Sequence, residues 1–221
     1  MITVSKEDYL KAILESESDG EQVIAARLAD LLKVSPPAVT MALRRLKKDN
    51  LVRVLTGGQI RLTEAGRKIA RKLTLRHHLI ERMLSEMFGM EWWKVHDEAE
   101  RLEHAVSPDF EAKLLARLSD DGACPHGNLS EMESPASRRR RGLVLLADAE
   151  PGANYGVSGI YERDRQLLEF LEARGIRPAA KLKLLARNYD QTLSLATTAG
   201  TVSLGRAAAE RVWVTPADRN K

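Results

Sequence analysis

Short amphipathic segments separated by turns fill the first part of the chain. Apolar residues recur with helical spacing in three stretches, which predicts helices at about residues 5–17, 23–32 and 37–48. Between Leu51 and Leu62, apolar and polar residues alternate on either side of Gly57-Gly58, which is typical of a β-hairpin. Helices followed by a hairpin in this order predict a winged helix-turn-helix.

The middle of the chain has longer helical patterns. They predict helices from Thr63 to Gly89, from Trp92 to His104 and from Ser107 to Leu118, followed by a loop and linker over residues 122–142. The apolar stripes of these helices exceed what so short a segment can bury alone, so we expect a dimer interface. Packing against the winged helix of the same chain is the alternative.

After residue 142 the pattern changes to short apolar runs around one helix, Asp164–Arg174. The runs that predict strands are Leu143–Leu146, Leu182–Leu185, Leu193–Leu195 and Val212–Val214. This pattern indicates a small β-barrel domain. The predicted fold is therefore mainly α with a small β part, in domains 1–73, 74–142 and 143–221.

Charge is distributed unevenly, although the net charge is only +4. Between Gln22 and Lys72 there are 12 Lys or Arg residues against 3 Asp or Glu, whereas between Ile80 and Asp121 there are 5 against 11. A basic block followed by an acidic block indicates a polyanion-binding surface joined to a cation-binding surface. Solvated helix faces would produce the same two blocks, so charge alone leaves both interpretations open.

Cysteine usage and hydropathy indicate a cytoplasmic protein. Cys124 is the only cysteine of the sequence, so no intramolecular disulfide can form. No apolar run approaches the length of a membrane span, and the first residues do not resemble a signal peptide.

The third helix and the wing carry side chains that suit DNA. Short or adaptable groups for base edges and cations for phosphates are expected here, and the candidates are Ser35, Pro37, Thr40, Met41, Arg27, Arg44, Arg45, Lys48 and Arg61. A helical hairpin that binds protein would leave the basic charge unexplained. A winged helix that binds DNA without any metal remains an alternative.

A ladder of metal-ligating residue types follows the basic block. His96, Glu100 and His104 are spaced four apart on a predicted helix, and Glu103 lies on the neighbouring ridge. Imidazole and carboxylate together suit a divalent first-row metal, and the scarcity of sulfur argues against a structural zinc site. Asp8 in the first helix is the candidate for a further ligand, because it would join the DNA-binding half to the metal-binding half.

A second group has the same spacing. His77 and Glu81 lie one helical turn apart, and with His96 they predict another site where two helices face each other. A carboxylate-bridged dimetal enzyme is the alternative, but such bundles need glutamates on two helices and Glu-x-x-His on two others. Only one dense ligand helix is present and no nucleophile arrangement stands out, so we expect a protein that is not an enzyme.

At these positions the chain resembles the diphtheria toxin repressor family of metal-dependent transcriptional regulators. The matching stretches are Asp8-Tyr9-Leu10, Val34–Thr40, Leu62–Gly66, Val95–His104 and Cys124–Gly127. Leu168–Pro178 and Val212-Trp213-Val214 resemble the C-terminal SH3-like (ferrous-transport-A-like) domain of that family.

The resemblance implies a cytoplasmic homodimeric repressor of metal-uptake genes that binds a palindromic operator on double-stranded DNA, with no membrane and no small-molecule substrate. It implies a primary metal site of Asp8, Glu100, Glu103 and His104, and an ancillary site of His77, Glu81, His96 and Glu162. The iron-responsive branch of the family usually has methionine at the position of Asp8 and cysteine at the position of Glu100. Both positions are carboxylates in this chain, which resembles the manganese branch. Mn(II) is therefore the expected ion and Fe(II) the alternative. The manganese branch often has glutamate where this chain has Lys11.

Overall fold

The computed structural model describes residues 6–217, and the chain divides into two compact units. Of the described residues, the first unit contains 6–77 together with Ser130–Pro135. The second unit contains His78–Leu129 and residues 136–217. Within residues 6–217, no helix is both long enough and apolar enough to cross a membrane.

The first unit has the predicted winged helix-turn-helix order. Its elements are α1 (Lys6–Ser18), α2 (Ala25–Leu32), α3 (Pro36–Lys48), β1 (Val52–Val54) and β2 (Ile60–Leu62). The predicted start of the first helix at residue 5 lies outside the described residues. The two strands pair antiparallel with Arg53 opposite Arg61, which confirms the wing. Gly57 in the connecting turn has a φ of 82°, a left-handed conformation that glycine adopts without a steric penalty.

Local sequence features position α3. Lys33 adopts a left-handed conformation with a φ of 51° and ends α2. Ser35 caps α3, because its hydroxyl accepts a hydrogen bond from the backbone N–H of Ala38 at 3.4 Å. Val39 and Leu46 are fully buried and lie two turns apart, so they fix one face of α3 in the core and leave the opposite face outward.

Longer helices follow the wing. They are α4 (Glu64–Arg82), α5 (Val95–Leu102) and α6 (Pro108–Leu118), and a π-helical turn at Met83–Met87 continues α4. The predicted helix Trp92–His104 is wrong at both ends. Trp92 precedes α5 because it packs against the core of the β-sheet and donates a hydrogen bond from Nε1 to Glu172 at 2.7 Å. Glu103 caps α5, and His104 lies in the turn that follows.

The segment predicted as an irregular linker contains a short helix, α7 (Pro135–Arg140). Pro135 suits the first turn of a helix, where no backbone N–H is required. Backbone hydrogen bonds from Arg141 to Ser137, at 3.1 Å, and from Leu143 to Arg138, at 3.0 Å, close its C-terminal end. The prediction of a loop is therefore wrong for Pro135–Arg140.

The C-terminal part of the second unit is an antiparallel sheet in the order β3-β8-β4-β5-β6-β7. Its strands are β3 (Val144–Leu145), β4 (Asn154–Ile160), β5 (Lys181–Arg187), β6 (Leu193–Thr197), β7 (Gly200–Leu204) and β8 (Val212–Pro216), with helices α8 (Arg165–Glu172) and α9 (Arg206–Ala209). Leu184, Leu195 and Val214 are fully buried and share one hydrophobic core with Leu168 of α8. The sequence pattern missed β4 and β7, because β4 contains two glycines and β7 begins with one.

Candidate metal centre and DNA interface

The residues of the predicted primary site belong to both units. Asp8 lies on α1 in the first unit and is half-buried, whereas Glu100, Glu103 and His104 belong to the second. The side chain of Glu103 is only 3% exposed, and its Oε1 lies 3.6 Å from Nε2 of His104. Glu100 projects from α5 with its side chain 55% exposed. Glu100 on α5 and His104 in the turn that follows therefore present a carboxylate and an imidazole at the protein surface, whereas the carboxylate of Glu103 is buried.

Three residues of the predicted ancillary site, His77, Glu81 and His96, are buried, and the side chain of the fourth, Glu162, is 11% exposed. His77 lies one turn before Glu81 on α4, and both are at most 1% exposed. Within the second unit, Nδ1 of His96 lies 3.1 Å from Oε1 of Glu81. Within the first unit, Nδ1 of His77 lies 2.9 Å from Nζ of Lys11, which is also buried. Because a lysine ammonium can only donate, this ring nitrogen of His77 accepts the hydrogen bond.

A further cluster lies within the second unit, and we call it the buried ligand group. It consists of His78, Glu81, Cys124 and Glu162, each of which offers one ligand atom, and these atoms all lie within 4.8 Å of one another. His126 adjoins the group, since its Nδ1 lies 3.5 Å from Glu81 and 3.7 Å from Glu162. The structure thus places Glu162 close to Glu81, as the predicted ancillary site requires, and it places His78, Cys124 and His126 beside them.

Three of these residues were absent from the predicted ligand sets: His78, Cys124 and His126. The spacing Cys124-x-His126 was the available signal, because a thiol and an imidazole two residues apart in a loop can both approach one ion. Their loop folds onto the end of β4, where the N–H of Ile160 donates to the carbonyl of His126 at 2.9 Å. The sequence contains one cysteine, and the structure places it beside two carboxylates and imidazoles.

Two carboxylates that are largely removed from water, Glu81 and Glu162, shift the pKa values of the groups around them. Burial alone would lower the pKa of His96, but the hydrogen bond and charge of Glu81, with the charges of Glu162 and Glu100, raise it to about 9. Burial and the charge of Glu81 act to raise the pKa of Glu162, but attraction to His78 and His126 holds it well below its usual range. Burial, with the two carboxylates, raises the pKa of the Cys124 thiol well above its ordinary value.

The donors of this group fit a divalent metal ion. Nε2 of His126 is buried and has no hydrogen-bond partner within the part of the chain that the structure describes, residues 6–217. Two closely spaced carboxylates removed from water need compensating positive charge, which a divalent cation would supply. Carboxylate, imidazole and thiolate are together ligands for first-row metals.

The outward face of α3 carries the residues predicted to contact DNA. Met41 is 56% exposed, and Arg44, Arg45 and Lys48 are also exposed. Two candidates have structural roles within the unit. Ser35 caps α3, as described above, and Thr40 donates a hydrogen bond from Oγ1 to the carbonyl of Pro36 at 3.1 Å.

The remaining candidates differ in their surroundings. Pro37 is exposed in the first turn of α3, and Arg61 is exposed on the wing. Arg27 is half-buried on α2 and forms an ion pair with Glu21, so its guanidinium is partly engaged within the unit. The exposed cations of α3 and the wing thus form a basic surface on the first unit.

Three family models match consecutive parts of the chain. The N-terminal DNA binding domain of iron dependent repressors matches residues 1–56, and their metal binding and dimerisation domain matches residues 63–130. The FeoA domain matches residues 144–216, which contain the C-terminal sheet.

Relatives and solved structures agree with these models. The chain is 37% identical over 202 residues to the diphtheria toxin repressor of Corynebacterium jeikeium, an alignment that covers 81% of this chain and 84% of the relative. It is 37% identical over 187 residues to the iron-dependent repressor IdeR of Mycobacterium leprae, which covers 80% of this chain and 81% of that protein.

Among solved structures, a manganese-dependent transcriptional repressor in complex with manganese superposes with a TM-score of 0.84 at 31% identity, over 96% of this chain and 100% of the other. The manganese regulator SloR superposes with a TM-score of 0.78 at 27% identity, over 97% of this chain and 100% of the other. With its winged helix, its ligand-bearing α4 and α5 and its C-terminal sheet, the chain belongs to the diphtheria toxin repressor family of metal-dependent repressors.

Proposed function

We propose that this protein is a homodimeric transcriptional repressor whose operator binding is activated by a divalent metal, with Mn(II) as the favoured ion. The observation that carries the proposal is the buried ligand group, in which Glu81 and Glu162 face imidazoles and a thiol within one cluster. The relatives of this protein are transcriptional repressors, which supports a regulator rather than an enzyme.

Two sets of ligands are proposed. We call the first set the exposed set, because Glu100 and His104 reach the surface although Glu103 is buried. It consists of Asp8, Glu100, Glu103 and His104, and all its donors are carboxylate oxygens or imidazole nitrogens. The second set is the predicted ancillary group of His77, Glu81, His96 and Glu162, which we extend to His78, Cys124 and His126 because these lie around Glu81 and Glu162. A metal bound by the first set would join α1 to the turn after α5 and so fix the orientation of the DNA-binding unit.

The choice of Mn(II) rests on the exposed set. Hard oxygen donors at Asp8 and Glu100 favour Mn(II) over softer ions, which bind more tightly where sulfur is available. The superposition on a manganese-dependent repressor supports this choice. Fe(II) is the second candidate, because the iron-dependent repressor IdeR of Mycobacterium leprae is 37% identical to this chain, against 31% for the manganese-dependent repressor, and because Fe(II) also accepts imidazole and carboxylate.

The proposed DNA complex is a two-fold dimer on a palindromic operator. The exposed cations and Met41 on α3 would enter successive major grooves, and Arg61 on the wing would contact phosphate. We also propose the domain limits 1–73, 74–142 and 143–221, with residues 74–142 forming the dimer interface. Genes for metal uptake are the proposed targets.

The test is capture of genomic DNA fragments by the purified full-length protein. Binding is measured in chelator and then in graded Mn(II), in Fe(II) without oxygen, and in Zn(II). We expect specific fragments to be retained with Mn(II) and not with chelator, since metal and DNA each raise the affinity for the other by the same factor. Glu103→Gln should abolish the metal response, whereas Glu111→Gln on α6 should not.

Equal retention in chelator and in Mn(II) would contradict the proposal and indicate a metal-independent DNA-binding protein. A response to Fe(II) at lower free concentration than to Mn(II) would favour the second candidate. Retention of no specific fragment under any condition would exclude sequence-specific repression.

A further inference from the structure

The side chain of Asn128 joins the buried ligand group to helix α7. Its Nδ2 donates to Oε2 of Glu162 at 2.6 Å and to the carbonyl of Ile160 at 3.0 Å. Its Oδ1 accepts from Nη2 of Arg138 at 3.0 Å. Both protons of the amide nitrogen and the amide oxygen are thus engaged, so the orientation of the amide is fixed by its partners.

Two arginines of helix α7 pack against the aromatic ring of Trp213 on β8. The guanidinium of Arg138 lies 5.4 Å from the ring centre of Trp213 on β8, and that of Arg139 lies 5.7 Å from the same ring. Gly159 on β4 pairs with Trp213, and a Cβ at Gly159 would lie 3.3 Å from Nη1 of Arg138 and 3.2 Å from Oδ1 of Asn128. The absence of a side chain at Gly159 therefore leaves room for the contact between Arg138 and Asn128.

The effect on Glu162 follows from this geometry. A carboxylate that is held at one oxygen by a short hydrogen bond cannot rotate freely about its last bond. Oε1 of Glu162 then stays near Nε2 of His78, at 3.8 Å, and Oε2 stays near Sγ of Cys124, at 3.6 Å. Hydrogen bonds of this kind to a ligating side chain commonly raise metal affinity 10- to 100-fold, because they reduce the reorganisation that binding requires.

We propose that Asn128 and Arg138 are positioning residues for the buried ligand group, and that metal binding there is coupled to the docking of α7 on Trp213. The inference rests on the proposed metal-binding role of that group. Arg138 contributes no ligand atom to the group; it orients Asn128, and Asn128 orients Glu162. Because coupling between two sites is reciprocal, a metal that needs Glu162 in this orientation also stabilises the docked helix.

The test uses Co(II), because a bond between cobalt and a thiolate gives a charge-transfer absorption in the near ultraviolet. Cys124 is the only cysteine of the chain, so this absorption reports the buried ligand group alone. Arg138→Met is compared with Arg139→Met, which removes the same charge from the same helix and the same ring without breaking a hydrogen bond to Asn128. Arg138→Met should weaken Co(II) binding about 10-fold, and Arg139→Met should leave it within about twofold.

A second measurement follows the docking of α7 itself. Hydrogen exchange of the amides of Arg141 and Leu143, which close the helix, is recorded with and without metal. The metal should slow this exchange in the wild type and in Arg139→Met but not in Arg138→Met. Asn128→Asp, which directs a second carboxylate at Glu162, should weaken Co(II) binding at least as much as Arg138→Met.

Equal Co(II) affinity in the wild type and in Arg138→Met would overturn the proposal. An equal loss of Co(II) affinity in Arg138→Met and Arg139→Met would also overturn it, because the removal of one positive charge from α7 would then explain the loss without the hydrogen bond to Asn128. If no thiolate absorption develops in the wild type, the buried ligand group binds no cobalt and the positioning role fails. The metal-dependent capture of operator DNA tests the proposed function separately, since it can persist through the exposed set.

Discussion

The pair formed by His96 and Glu81 makes the stability of the metal-free protein depend on pH. The pKa of His96 is about 9 in the folded protein against 6.5 for an ordinary histidine, so the folded state binds this proton more tightly than the unfolded state. A raised pKa stabilises the folded state fully below pH 6.5, and the contribution is lost as the pH rises through 9. It amounts to about 3 kcal/mol, because each tenfold change in proton affinity is worth about 1.4 kcal/mol.

The assay is urea unfolding followed by tryptophan fluorescence, in chelator and at one protein concentration, between pH 6 and 9.5. The free energy of unfolding of the wild type should fall by up to about 3 kcal/mol over this range. The double variant His96→Gln with Glu81→Gln removes both charges and leaves two amides, so its profile should lack this fall. Parallel profiles for the two proteins would refute the reasoning, because the pH dependence would then come from other groups.

Three further predictions concern single residues. Co(II) affinity, followed through the absorption of the Cys124 thiolate, should rise with pH by up to about tenfold per pH unit. The reason is that the raised pKa of the thiol keeps it protonated, so that a proton must leave when the metal binds. A Co(II) affinity that is constant between about pH 6.5 and 8 would contradict this. Arg45→Ala should weaken operator binding and reduce the slope of log affinity against log salt by about 1, whereas Arg117→Ala on α6 should not change the slope. Leu46→Ala should lower the free energy of unfolding by about 2–5 kcal/mol, because Leu46 is fully buried in the core of the first unit. Urea unfolding measures this change, and a loss below about 1 kcal/mol would contradict the contribution of Leu46 to that core.

The elements that sequence periodicity predicted well are those whose local signals agree with their packing. The wing has alternating residues and a Gly57-Gly58 turn, and α3 has a serine cap, prolines in its first turn and buried residues two turns apart. Strand β4 gave no such signal because Gly156, Ser158 and Gly159 have low strand propensity. Its conformation comes from pairing with β5 on one side and β8 on the other, which are distant in the sequence.

The same distinction applies to the candidate metal centre. The ladder from His96 to His104 was visible because its members are close in sequence, although α5 ends before Glu103. The buried ligand group draws on α4, on the loop that contains Cys124 and on the residue Glu162 that follows β4. No periodicity connects these segments, so only the folded chain reveals that a thiol and two carboxylates share one cluster.

The contrast in exposure between the two proposed ligand sets has a consequence for timing. Glu81 and His126 are fully buried, whereas the side chains of Glu100 and His104 are 55% and 36% exposed. An ion in the buried ligand group can leave only when the surrounding segments open, which is much slower than side-chain motion at the surface. The exposed set would therefore follow changes in metal supply quickly, while the buried group would keep its ion long after supply has fallen. On a second exposure to metal soon after the first, the buried ligand group would therefore still hold its ion, and only the exposed set would need to bind metal again.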